Sequence, residues 1–93
     1  MNKFKNVVLF GASQGIGRAL ALEFARESSS LVLLSRNEKE IESLSAEISS
    51  IGSKCFSKKC DVTLLENVRD GIVFACEILD SIDLVIINSG VGG

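Results

Sequence analysis

Four short apolar runs separated by stretches of helical periodicity constrain this chain more than any other feature. The runs lie at residues 6–10 (NVVLF), 31–35 (LVLLS), 54–60 (KCFSKKC) and 82–90 (IDLVIINSG). The second is apolar over Leu31–Leu34, the pattern of a strand buried on both faces, and the last is more apolar than any before it. The third is weaker, and its Lys58 and Lys59 suit an edge strand, where charge blocks sheet-to-sheet aggregation.

Three helices are expected between them. The first runs from Gly15 to about Glu27, with Ile16, Leu20 and Phe24 at i, i+4, i+8 on one face and Ala19 beside them, until "SSS" at 28–30 breaks it. The second carries Ile41, Leu44, Ile48 and Ile51 as a stripe. Asn37 with Glu40 reads as its capping box and Gly52 as its stop. Thr63 and Glu66 read as a second capping box, opening a helix over 63–79 that turns Val68, Ile72, Ala75, Cys76 and Leu79 inward. Gly71 within it costs about 1 kcal/mol relative to alanine.

Alternation of this kind means an α/β fold, a parallel sheet wound with right-handed crossovers. Numbering the strands along the chain, the sheet order is 3-2-1-4, with two helices on one face and the third on the other. This doubly wound arrangement opens a crevice at the C-terminal ends of the first and fourth strands.

Composition narrows what that crevice holds. The chain has 93 residues, enough for one small domain, and a formal net charge of −2. No bulk attraction for nucleic acid or an anionic membrane follows from such a charge, so any anion site is local. Cys55, Cys60 and Cys76 show no C-x-x-C spacing and the chain has no histidine. Buried free thiols in a reducing compartment are expected rather than a zinc site, and no metal is expected. No apolar run matches a signal peptide or a membrane span, so a soluble cytoplasmic protein is expected.

The glycine loop sits at the crevice. "GASQGIG" at 11–17 follows a strand and opens a helix, the context in which such glycines have distinct uses. Gly11 permits a tight turn, Gly15 lets a phosphate approach the backbone, and Gly17 lets the helix pack closely on the sheet. The helix N-terminus then favours an anion. Ser13 and Gln14 are placed to donate to the ribose phosphate region or to face solvent. The loop lacks the G-x-x-x-x-G-K-[ST] spacing of a phosphate-loop ATPase, since Arg18 and Ala19 follow its last glycine.

Ser35 and Arg36 end the second strand, where a methyl-donor or NAD site would usually place an acid. An acid there would repel a ribose 2′-phosphate, whereas an arginine offers it a planar fork of donors. The alternative is a solvated arginine near a helix cap. Asp61 ends the third strand beside the crevice, as an acceptor for an adenine amino group or as charge for the following helix. Asn88, Ser89 and Gly90 bring backbone close to a ribose or form an ordinary strand-end turn.

These motifs together resemble the N-terminal part of the short-chain dehydrogenase/reductase family, over essentially the whole chain. "GASQGIG" is similar to the family's T-G-x-x-x-G-x-G loop, with Phe10 in place of threonine. "SRN" at 35–37 resembles the NADP-preferring form of the second strand's end. "CDVT" at 60–63 matches the segment in which Asp61 and Val62 would contact adenine. "INSG" at 87–90 is similar to N-N-A-G, with Ile87 for the first asparagine and Ser89 for alanine.

The resemblance implies a Rossmann-type domain that binds NADP in preference to NAD. Its contacts would be Gly11, Ser13, Gln14, Gly15, Ile16, Gly17, Ser35, Arg36, Asp61, Val62, Asn88, Ser89 and Gly90. It further implies hydride transfer between the nicotinamide and a small carbonyl or alcohol, in a protein that is a homo-oligomer at full length. The family's catalytic Tyr-x-x-x-Lys pair has no counterpart here, because the chain contains no tyrosine. Residues 1–93 are therefore expected to be the cofactor half of a longer enzyme, prone to dye binding and self-association when isolated. The competing expectation is a non-catalytic dinucleotide-binding sensor or interaction module.

Overall fold

A computed structural model of the protein describes residues 4–11, 15–27 and 29–88. Its elements follow in the order β1 (Asn6–Phe10), α1 (Gly15–Arg26), β2 (Ser30–Ser35), α2 (Glu38–Ile51), β3 (Cys55–Lys59), α3 (Leu65–Ile78) and β4 (Leu84–Ile87). The strands form one parallel sheet in the order β3-β2-β1-β4. This is the expected Rossmann-type winding, with β4 paired to β1 by a crossover rather than to its neighbour in sequence.

Strand periodicity divides the core in two. Successive side chains point to opposite faces, and the parallel register sets Val7 against Leu31 and Phe10 against Leu34, so cross-strand neighbours share a face. Val7, Leu9, Leu31 and Leu33 pack with Ala21 and Ala25 of α1 and Ile41, Leu44 and Ile48 of α2. Val8, Phe10, Val32 and Leu34 pack on the other face with Cys60, Ala75 and Leu79. Two helices cover one face and α3 the other, as the alternation predicts. Ile51, expected at the end of the α2 stripe, is largely exposed.

Two stripes differ from the expectation. The buried line on α1 is Gly17, Ala21 and Ala25, while Ile16 is 73% exposed and Ala19 faces solvent. Leu20 and Phe24 are only half-buried at its flanks. Small side chains let the helix axis sit close to the sheet, and the larger ones then cover the rim. Gly71 plays the same part for α3: a Cβ there would lie 3.0 Å from Leu34 Cδ1 and 3.5 Å from Phe10 Cε1. Its low helix propensity is offset by a closer helix–sheet approach. Cys76, expected inward, is exposed, and Cys55 is half-buried; Cys60 is buried as expected. Burial raises the thiol pKa of Cys55 and Cys60, with Asp61 adding to the rise at Cys60.

Local chemistry sets the helix ends. The Asn37 side chain accepts from the Glu40 N–H at 3.1 Å, and the Gly52 N–H closes onto the Ser49 carbonyl. The box expected at Thr63 and Glu66 does not form. The residue preceding α3 is Leu64, which offers no side-chain cap, and the Thr63 hydroxyl turns back to Asp61 instead. Among the described residues no helix is long and apolar enough to cross a membrane.

Candidate dinucleotide-binding site

The C-terminal ends of β1, β2 and β4 are tied together through backbone. The Gly11 N–H donates to the Leu34 carbonyl at 2.6 Å, and the Asn88 N–H donates to the Phe10 carbonyl at 2.9 Å. Asn88 Nδ2 donates in turn to the Gly11 carbonyl at 3.3 Å. Gly11 has φ +77°, and a Cβ on it would collide with the Asn88 carbonyl oxygen. Glycine is therefore required here twice over, by conformation and by contact.

Gly15 differs. Its φ of +58° also favours glycine, yet a Cβ there would meet nothing within 4 Å. Open space adjoins the backbone at the first residue of α1. The helix that starts there has no acidic residue in its first turn, whereas α2 opens with Glu38 and Glu40 and α3 with Glu66. Its positive end is left without a carboxylate of its own. Ile16 stands exposed beside this opening, and Gly17 is buried against the sheet.

At the end of β2, Ser35 is 7% exposed and faces its own chain. Its carbonyl accepts from the Cys60 N–H at 2.8 Å and its Oγ from the Asn37 N–H at 3.3 Å. The next residue, Arg36, is exposed and makes no ion pair among the described residues. Its charge nonetheless reaches Asp61.

Asp61 is fixed at three points. Its N–H donates to Asn67 Oδ1 at 3.1 Å, and its Oδ1 accepts from the Thr63 hydroxyl at 2.6 Å and the Thr63 N–H at 2.9 Å. These two Thr63 bonds hold the carboxyl below its ordinary pKa, with the Arg36 guanidinium adding to the effect. Oδ2 has no hydrogen-bond partner among the described residues. Val62, next in the chain, is half-buried against the α3 side of the core. Asn67 escaped the sequence reading because a lone polar residue on a helix face, six positions from Asp61, carries no signal of its own.

The structure thus gathers Gly11, Gly15, Ile16, Gly17, Ser35, Arg36, Asp61, Val62 and Asn88 at the C-terminal ends of the strands and the segments that follow them, where open parallel sheets bind ligands. Ser13, Gln14, Ser89 and Gly90 lie outside the described residues. An uncommitted cation, an open acceptor and a helix N-terminus beside a glycine suit a phosphorylated ligand with a hydrogen-bond donor at its far end.

Comparison with known proteins agrees with this geometry. The chain is 38% identical over 87 residues to the oxidoreductase UcpA of Salmonella typhimurium, covering 94% of this chain and 33% of that protein. A solved alcohol dehydrogenase from Thermococcus sibiricus, complexed with 5-hydroxy-NADP, superposes with a TM-score of 0.84 at 32% identity. That match covers 87% of this chain and 35% of the other. A xylitol dehydrogenase bound to NAD+ superposes at 0.85 with 31% identity, covering 90% and 33%. The chain spans about a third of the length of the curated relatives it matches. The family model for short chain dehydrogenase matches residues 5–93, so the glycine loop, the β2 end, Asp61 and Asn88 all fall within it. The chain belongs to the short chain dehydrogenase family.

Proposed function

We propose that residues 1–93 form the N-terminal part of a single NADP-binding domain in an oxidoreductase acting on a small carbonyl or alcohol, with a catalytic Tyr-x-x-x-Lys pair downstream. Gly11, Ser13, Gln14, Gly15, Ile16 and Gly17 would hold the pyrophosphate end, and Ser35 and Arg36 the 2′-phosphate. Asp61 and Val62 would hold the adenine, and Asn88, Ser89 and Gly90 the adenosine ribose. When bound, the nicotinamide supplies or accepts a hydride; this chain's residues bind and orient the other end of the molecule. The open space beside Gly15 and the acid-free first turn of α1 support the fit of a phosphate.

The observation that carries the choice of NADP is Arg36, exposed and without an ion pair among the described residues, at the strand end where NAD sites hold an acid. A charge-assisted hydrogen bond of this kind contributes roughly 1.5–3 kcal/mol. Arg36→Ala in the full-length protein should therefore weaken NADP about 10- to 100-fold and leave NAD almost unchanged. Ser35→Asp should push the same way, by repelling the phosphate and offering the NAD ribose an acceptor. Titration of each variant with both cofactors is the measurement. Equal losses for NAD and NADP would mean that Arg36 does not read the phosphate.

A further inference from the structure

We infer that Thr63 is a positioning residue for cofactor recognition, aiming the Asp61 carboxylate by holding one of its oxygens and leaving the other to receive the adenine amino group. The inference rests on the proposed placement of adenine at Asp61 and adds to it the device that sets the carboxylate's direction. A carboxylate on a two-bond side chain rotates freely unless something holds it, and an acceptor that rotates discriminates poorly. Here two donors from one residue converge on Oδ1, the hydroxyl at 2.6 Å and the backbone N–H at 2.9 Å. Asn67 fixes the backbone of Asp61 at the same time, through the bond from the Asp61 N–H at 3.1 Å. Oδ2 has no hydrogen-bond partner among the described residues and is the atom that remains available.

The alternative use for Thr63, capping α3, is excluded by geometry. The helix begins at Leu65, Leu64 occupies the capping position, and the threonine hydroxyl points back along the chain. Thr63 is exposed, so it is not held by the core either. Its hydroxyl makes one hydrogen bond among the described residues, to Asp61 Oδ1.

The test compares full-length wild type, Thr63→Val and Thr63→Ser by fluorescence titration with two reduced cofactors. One is NADPH; the other is its hypoxanthine analogue, in which a carbonyl replaces the adenine amino group. Wild type should bind NADPH more tightly than the analogue. Thr63→Val keeps the N–H and the side-chain shape but loses the hydroxyl, and should weaken NADPH about 3- to 10-fold while leaving the analogue unchanged. Thr63→Ser should restore the preference. Where activity is measured, the loss should appear in KM with kcat unaltered.

Each other outcome is informative. Wild type that binds both cofactors equally would overturn the placement of adenine at Asp61, and this inference with it. Wild type that discriminates alongside a Thr63→Val protein that discriminates equally well would overturn the role of Thr63 alone. Equal weakening of both cofactors in the valine variant, unrescued by serine, would make Thr63 a structural residue only. Absence of binding by any protein would instead sink the oxidoreductase reading itself.

Discussion

The two ends of the sheet treat their polar groups differently. At the N-terminal end the groups satisfy one another. Asp83 Oδ2 accepts from the Lys5 and Asn6 N–H groups at 3.0 and 2.9 Å, and the Asp83 N–H returns a bond to the Asn6 carbonyl. Ser29 Oγ donates to the Phe4 carbonyl, Ser53 Oγ caps the Ala25 carbonyl, and Asn6 Nδ2 reaches Ser81. At the C-terminal end the backbone is clamped just as firmly, by Gly11, Leu34, Phe10 and Asn88. Yet among the described residues the Arg36 guanidinium makes no ion pair, Asp61 Oδ2 accepts no hydrogen bond, and the first turn of α1 holds no acidic residue. A closed end stabilises; an end with open groups can also bind.

Gly11→Ala breaks the clamped part of the open end and carries the largest expected effect. The new methyl group would run into the Asn88 carbonyl, and β1 and β4 would have to separate. We expect a loss of about 3 kcal/mol or more, read as a fall in the urea midpoint, together with loss of cofactor binding. Gly15→Ala sharpens the contrast within the same loop. It meets no atom, so only its left-handed conformation is penalised, by about 1–2 kcal/mol. If both variants cost the same, steric contact with Asn88 is not what demands glycine at position 11.

Asp83→Ala probes the closed end. Two backbone donors lose their acceptor at an exposed site where water replaces it, so about 1 kcal/mol is expected. Cofactor affinity should not move. A change in affinity comparable to that of Arg36→Ala would mean that the two ends are coupled through the sheet.

The smallest expected effect is that of Asp61→Asn on acid stability. The folded protein holds this carboxyl below its ordinary pKa, so its ionised form stabilises the fold above the unfolded-state value. That stabilisation is lost as pH falls through the depressed folded value. Wild type should therefore be the more stable at neutral pH, and the two midpoints should converge on acidification through the carboxylate range. The Asn variant keeps an acceptor for Thr63, and salt screens the Arg36 contribution, which is why the difference is small. A gap that widened toward low pH would contradict the direction of the shift.

Much of the fold was legible because apolar runs and helical periods are properties of the chain read locally. The parallel order followed from those elements and the handedness of crossovers, and the positions of Gly11, Arg36 and Asp61 at strand ends followed from the order. What the local pattern does not show is how elements pack on one another and which of several nearby partners a polar side chain takes. Large apolar residues mark a stripe on α1 in the sequence, but close approach to a sheet selects Gly17, Ala21 and Ala25. Thr63 and Glu66 match a capping pattern, yet an aspartate two residues upstream claims the hydroxyl.

By itself, then, the sequence determined the alternation of elements, the winding of the sheet and the chemistry gathered at one end of it. These depend on periodicity and on residue type, which hold whatever the chain later touches. The tertiary structure decided which glycine has no substitute, which helix glycine lies against the sheet and which cysteine stays exposed. Each of those depends on the distance between atoms from separate elements, such as the Asn88 carbonyl set against Gly11 or the Leu34 side chain packed beneath Gly71. Such distances arise only when the helices settle onto the sheet.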